Sequence, residues 1–383
     1  MMDRPLRICI VVSYDLAEEG GVKRHAVHLA QELRSHGDHV DIFGPNSNGN
    51  PLPPGAYGFR GVVSVGSNGS ESHVGIFTRP WSVWRRLRDG RYDILHVMEP
   101  SVPTLAWYAT WFAGPAVRVA TFHAYSEAEG MRSRVARRLL VRPQLMLFDH
   151  GIAVSPAAER FARRVWSRPL ALIPNGIDTK MYTPPTTAEE HTGPLRLLFV
   201  GHFRDPRKGL PTLLEAFEQL RARGVDVVLD VVGDGAVKPA PGVVYHGAIA
   251  DERILATQYR ACDLFVAPSN GMESFGIVLL EAMASGLPIV CSDIVGYRAV
   301  VPEDGAALVP PGNAMALADA IAKLAASPAQ RHQMGAANRQ ASLEYDWAGL
   351  AARVRAEYLV ALSRHPDAEP SQPPAANQGR AQG

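Results

Sequence analysis

The chain has 383 residues, enough for two or three domains of roughly 150 residues each. Its 46% apolar and 20% charged content supports packed cores and excludes wholesale disorder, while 39 Lys+Arg against 38 Asp+Glu excludes the basic excess of a nucleic-acid binder. Three scattered cysteines, Cys9, Cys262 and Cys291, exclude a disulfide framework and fit a reducing, cytoplasmic setting, and no run of about 18 uncharged apolar residues is present to span a bilayer.

Strand and helix signals alternate from the start. Leu6–Val12 is a short apolar run that predicts a strand, not the charge, apolar stretch and cleavage site of a signal peptide. It leads to Gly20-Gly21, after which Val22, Ala26, Leu29, Ala30 and Leu33 recur at helical spacing and mark one buried face. Val40–Phe43 predicts the next strand. Residues 44–75, rich in Gly, Pro, Asn and Ser, predict loops around one weak strand at Gly61–Val65. Ile94–Val97, Val117–Phe122 and Gly151–Val154 are further strands, so residues 1–178 form one doubly wound domain with a parallel sheet. Residues 179–194, with Pro184-Pro185, predict a linker.

A second alternation fills residues 195–346. Its strands are Leu195–Val200, Val227–Val232, Val243–Tyr245, Leu264–Ala267 and Pro288–Cys291. Its helices are Gly209–Arg221, Asp251–Tyr259, Gly276–Ala284 and Ala314–Ala325. Residues 366–383, made of Pro, Gln, Ala and Gly, predict a disordered tail. The fold class is α/β: two Rossmann-like, doubly wound domains that face each other across a cleft. Ligands in such sheets sit beyond the carboxyl ends of the strands.

Three motifs carry chemistry. Glu273-Ser-Phe-Gly-Ile-Val-Leu-Leu-Glu281 follows a strand and a turn and opens a helix. Free N–H groups at a helix start suit a phosphate or sugar hydroxyls, and Gly276 permits close approach. Glu281 lies among apolar neighbours and needs a partner, either a ribose diol or a helix salt bridge. The second motif, Phe199-Val-Gly-His-Phe-Arg-Asp-Pro-Arg-Lys-Gly209, crowds His202, Arg204, Arg207 and Lys208 into the loop after a strand. Such cations stabilise a departing diphosphate, or form a solvated basic loop in which Asp205 pairs with one of them. The third site joins Gly20 and Gly21 to His123, at the end of the strand in Thr121-Phe-His-Ala. His123 is either a cleft residue or a structural one. Gly233, in Gly233-Asp234-Gly235, is a candidate nucleotide-facing turn. No Asp-X-Asp follows a strand and no His/Cys cluster has zinc spacing, so no metal and no cofactor is expected.

With these residues assembled, the chain resembles the family 4 retaining glycosyltransferases of GT-B fold over roughly residues 6–360. Ala267-Pro-Ser, the Glu273–Glu281 stretch continued by Ala-Met-Ala-Ser-Gly-Leu-Pro, Ile173-Pro-Asn-Gly-Ile-Asp178 and Pro206-Arg-Lys-Gly209 carry the likeness. Thr121-Phe-His, Glu99-Pro100 and Tyr345-Asp-Trp347 point to the bacterial phosphatidylinositol mannosyltransferases within it. The resemblance implies a nucleotide-diphosphate sugar as donor, with GDP-mannose the expected one. Glu273, Phe275, Gly276 and Ile277 would hold its sugar and phosphate, and Glu281 its ribose. Arg207 and Lys208 would hold the diphosphate, with Lys208 the better match. Gly21 would touch the phosphate from the first domain, and His123 would lie beside the reacting carbon. Catalysis is therefore expected from His123, Arg207, Lys208 and Glu273. Tyr14, Lys23 and Ser101 are the candidate acceptor contacts. A final helix within 347–365 is expected to cross back to the first domain, as in relatives.

Two positions depart from the family. His202 stands where arginine is usual, and Ala124-Tyr-Ser-Glu-Ala128 replaces a more polar, basic stretch. Alternatives remain: a UDP-glucose or UDP-GlcNAc transferase with a soluble or polysaccharide acceptor, an epimerase on the same scaffold, and a non-catalytic nucleotide-sugar binding module. Trp81, Trp84, Arg85, Arg86, Arg88 and Arg91, with a second basic stretch at 131–142, suit an anionic membrane surface and peripheral attachment, or else steer a phosphorylated soluble acceptor.

Overall fold

The structure, a computed structural model, describes residues 4–18, 20–47, 52–67, 70–75, 79–125, 137–185, 193–235 and 239–365. The expected tail at 366–383, the middle of the expected linker, Arg132 and Arg134, and Ser126–Ala128 lie outside these residues.

The first domain contains β1 (Arg7–Val12), β2 (His39–Pro45), β3 (Ala56–Phe59), β4 (Val62–Ser67), β5 (Ser70–Gly75), β6 (Ile94–Met98), β7 (Val117–Phe122), β8 (His150–Ala153) and β9 (Ala171–Leu172). Seven of these form a parallel sheet in the order β3-β2-β1-β6-β7-β8-β9, and β4 pairs antiparallel with β5. The second domain contains β10 (Leu195–Val200), β11 (Val227–Val232), β12 (Val243–Gly247), β13 (Leu264–Ala267), β14 (Ile289–Ser292) and β15 (Ala306–Val309), in a parallel sheet ordered β12-β11-β10-β13-β14-β15. Helical crossovers cover both faces of each sheet, which is why the central strands read as continuous apolar runs. Both orders reverse beside their first strand, so the switch points of the two sheets open on one cleft.

Residues 44–75 differ from expectation. They hold β3, which joins the sheet edge, and the β4–β5 hairpin in place of one weak strand. These strands are short and interleaved with Gly and Ser, so no apolar period marks them.

The crossing between domains lies close to the second core. Ile177 and Tyr182, 4% and 2% exposed, pack with Tyr259, Leu279 and Met283. Arg339 donates to the carbonyls of Thr179 and Tyr182. The chain crosses again after the second domain. The Ile177 N–H donates to the Tyr345 carbonyl at 2.9 Å, and Thr179 Oγ1 lies 2.5 Å from Asp346 Oδ2, so both crossings run side by side.

The Trp347–Arg364 helix then returns to the first domain. Asp346 caps it by accepting from the Ala348 N–H. Trp347, Leu350, Val354, Tyr358 and Ala361 fill one face of the first sheet beside Leu29, Leu33 and Val119. Polar ties secure it: Tyr358 OH meets His96 Nδ1 at 2.6 Å, and Arg355 pairs with buried Asp38 at 2.9 Å. Among the described residues no helix is long and apolar enough to cross a membrane.

Candidate functional site

A cavity of about 360 Å³ lies between the domains. The first domain lines it with Gly20, Gly21, Arg24, His123 and Asn175. The second contributes Gly201, His202, Lys208, Gly233, Ala248, Ile249 and the run from Glu273 to Val278. Every strand–loop junction involved lies at a carboxyl strand end.

Two helix starts face one another here. The Gly21–Ser35 helix begins after Gly20 without a side-chain cap, and so does the Ile277–Ala284 helix after Gly276. Their first N–H groups are therefore available to an anion. The approach is close: a Cβ on Gly21 would lie 2.9 Å from the Ile277 side chain. Gly276 is required by its φ of 94°, and a Cβ there would meet the Tyr297 ring at 2.7 Å. Tyr297 is itself fixed by Ser269 at 2.7 Å. Just before the helix, Met272 is held at φ 57°, a strained turn that presents Glu273.

Lys208 and Glu273 meet in the cavity, with Nζ 2.6 Å from Oε1. The loops that carry them are stitched together, since the Asn270 N–H donates to the Arg207 carbonyl at 2.7 Å. Arg207 points elsewhere. Asp205 accepts from its backbone N–H and from its Nε, both at 3.0 Å, and Arg207 does not line the cavity. The expected pair of diphosphate cations is thus reduced to Lys208 in this arrangement. The reason is local: Asp205 caps the Pro206–Lys208 turn and draws back the side chain two residues on.

His202 does line the cavity. Its Nδ1 lies 2.5 Å from Asp234 Oδ1, and Arg204 stands 3.5 Å from the same carboxylate. The His202 hydrogen bond holds Asp234 below the usual carboxylate range. Gly233 lies against the same loop, where a Cβ would meet the Gly201 carbonyl oxygen at 1.9 Å.

Glu281 is 1% exposed and does not line the cavity. Its need for partners is met within the protein. Arg24 Nη1 donates to Oε1 at 2.6 Å and Tyr259 OH donates to Oε2 at 2.6 Å. In this structure a first-domain guanidinium meets the need for a partner that a ribose diol or a helix salt bridge was expected to meet. Arg24 also stands 3.6 Å from Glu252, whose other oxygen meets His28 Nε2 at 2.9 Å. This cluster bridges the domains, and Arg24 is pushed further up from its already high pKa chiefly by Glu281.

His123 follows β7 directly and lines the cavity. Buried Glu99, at φ 57°, accepts from the N–H groups of His123 and Ala124 at 3.0 and 2.8 Å. The ring is 9% exposed, and burial is the largest of the effects that push its pKa well down, so it is neutral. Its Nε2 is buried without a hydrogen-bond partner among the described residues.

The structure therefore brings together Gly20, Gly21, His123, His202, Lys208, Gly233, Glu273, Phe275, Gly276 and Ile277. Tyr14, Lys23 and Ser101 are outside the cavity lining. Arg24, Asn175 and Glu99 join the site without having been singled out for it. Arg24 adjoins Lys23, and only the turn of the helix tells the two apart.

On the first domain, the Pro80–Gly90 helix carries the expected membrane residues. Arg85, Arg86 and Arg88 are exposed, whereas Trp84 is half-buried, stacked on the exposed Trp81 at 4.3 Å and covered by Arg88 at 5.2 Å. Arg86 covers Tyr57 at 4.1 Å.

Two family descriptions match the chain: glycosyltransferase family 4 over residues 19–181 and glycosyl transferases group 1 over residues 194–327. A phosphatidyl-myo-inositol mannosyltransferase of Mycobacterium leprae is 34% identical over 92% of this chain and 96% of its own. Its namesake in Propionibacterium freudenreichii is 31% identical over 93% and 95%. Among solved structures, Anabaena HepE in complex with UDP and glucose superposes with a TM-score of 0.71 at 19% identity, over 93% of this chain and 99% of that one. That likeness concerns the fold alone. The chain belongs to the family 4 glycosyltransferases of GT-B fold.

Proposed function

We propose that this glycosyltransferase moves mannose from GDP-mannose to an inositol phospholipid, with retention at the sugar carbon and without a metal ion. The observation that supports the reading most is the convergence of Lys208, Glu273 and two uncapped helix starts on one cavity. Mannose and the inositol-lipid acceptor rest on the names of relatives that match along nearly the whole chain. The reaction breaks the bond between the sugar carbon and the diphosphate oxygen and forms one to the acceptor oxygen on the same face. The acceptor proton passes to the leaving phosphate. Charge grows on that phosphate as the bond breaks, and preorganised donors there lower the barrier. Lys208 Nζ and the N–H groups at the Gly276 helix start supply them. Glu273 accepts from sugar hydroxyls and releases Lys208 to the diphosphate. His123, neutral and unpaired at Nε2, faces the sugar.

The basic Pro80–Gly90 helix brings the first domain to an anionic bilayer, as a peripheral enzyme on the cytoplasmic face. Incubation with GDP-mannose, UDP-glucose or UDP-GlcNAc, with and without phosphatidylinositol vesicles, tests the reading. GDP release that requires the vesicles, together with a mannosylated lipid in the mass spectrum, is expected. Release from a UDP-sugar alone would overturn the donor, and release from none would overturn the activity.

A further inference from the structure

His123 lines the cavity, and among the described residues its buried Nε2 has no hydrogen bond to fix the ring. Glu99 accepts from the backbone N–H of this residue. The ring meets His25, one turn into the Gly21–Ser35 helix. The two imidazoles stand edge to face, 4.9 Å apart at 86°. His25 is 4% exposed and has fixed partners of its own. Its Nδ1 lies 2.9 Å from Asn175 Oδ1. An amide oxygen only accepts, so His25 carries its proton on Nδ1, and Nε2 is the bare nitrogen. Burial lowers its pKa to about 4, so the ring is neutral at working pH. Its other side is braced by Trp347, again edge to face, 4.9 Å away at 82°. His28 lies flat along Trp347 at 5.7 Å. A column of rings thus runs from the returning C-terminal helix through His25 to His123.

We propose that His25 is a positioning residue for this transferase: keyed by Asn175 and braced by Trp347, its ring sets the aim of the His123 imidazole into the donor cavity. The geometry suits that task better than simple filling. A core position of this size takes an aliphatic residue without any need for a buried polar partner. Here the buried amide of Asn175 selects one ring orientation, and that orientation decides which edge His123 meets. An edge-to-face contact is directional, so it resists rotation of the His123 ring. The inference rests on the reading that His123 lies beside the reacting carbon, and it adds a residue that touches neither sugar nor phosphate.

The test uses the full chain and His25→Ala, with His25→Phe as a variant that retains an aromatic edge. Two readouts are taken. The first is the kcat and donor KM for mannose transfer from GDP-mannose into phosphatidylinositol vesicles. The second is the imidazole nitrogen resonances of His123, which need no turnover. His25→Ala is expected to lower kcat by ~10-fold to ~100-fold while donor KM stays within ~3-fold, as a misaimed group does. The His123 resonances should shift and broaden. His25→Phe should regain part of kcat and sharpen those resonances. If His25→Ala leaves kcat per folded enzyme and the His123 resonances unchanged and only lowers the melting temperature, His25 is packing and the proposal is overturned. If the wild type transfers no mannose, the functional reading fails, and the resonances still decide the positioning role.

Discussion

Replacing Arg24 by Met should weaken the attachment of the first domain to the second. Arg24 Nη1 and Glu281 Oε1 are 2.6 Å apart, with side-chain exposures of 25% and 1%. Removing one partner of a buried pair costs roughly 3–5 kcal/mol, because the other charge is left behind. Tyr259 continues to donate to Glu281, and water reaches the guanidinium, so the lower end applies, about 3 kcal/mol. If the second domain melts as a unit, its midpoint falls by roughly 6–12 °C. Because the pair spans the cleft, part of the loss can instead appear as opening, which admits water to Glu281. Calorimetry and small-angle scattering on Arg24→Met, Glu281→Gln and the double variant separate the routes. The double variant should fall well short of the summed single effects, by about 2 kcal/mol, or the single variants should expand. Effects that add to within ~0.5 kcal/mol, with no change in size, would refute the account.

Lys208→Ala should abolish most turnover, with a loss of about 100-fold or more, while circular dichroism and melting stay close to wild type; full activity would remove Lys208 from the chemistry. Stability should fall in acid. Burial lowers the pKa of His25 to about 4 and of His96 to about 3, so the unfolded chain binds more protons than the folded one below about pH 6.5. The stabilisation is complete above that pH and is lost as the pH drops towards 4, with roughly 3 kcal/mol from His25 alone. A melting temperature that stays flat across this window would contradict it. Arg85→Ser, Arg86→Ser and Arg88→Ser together should weaken co-sedimentation with anionic vesicles by about 1 kcal/mol per charge. The wild-type binding should fade in high salt, and equal binding to neutral vesicles would count against the electrostatic origin.

Much of this fold was legible because buried parallel strands leave uninterrupted apolar runs, as Leu195–Val200 and Val227–Val232 do. β3 was not legible, since four residues that include Gly58 carry no period. The cavity was legible where glycines and charges sit at strand ends. Its finer wiring was not. Arg207 and Lys208 are neighbours in a three-residue turn, and only the Asp205 cap decides that Lys208 faces the ligand. Glu281 announced its need for a partner, but that partner came from 257 residues away. His25 lay hidden because a histidine within a helix has many ordinary uses, and its task depends on Asn175 and Trp347, which only the fold brings near.

The side-by-side crossings at Ile177 and Tyr345–Asp346 have a mechanical consequence. A single tether would let the halves twist and slide. Two segments joined by a parallel bridge and by Thr179 on Asp346 resist that motion at both crossings together. Deleting residues 347–365 would leave the second crossing without its anchor in the first domain and uncover the apolar slot on the first sheet in the same stroke.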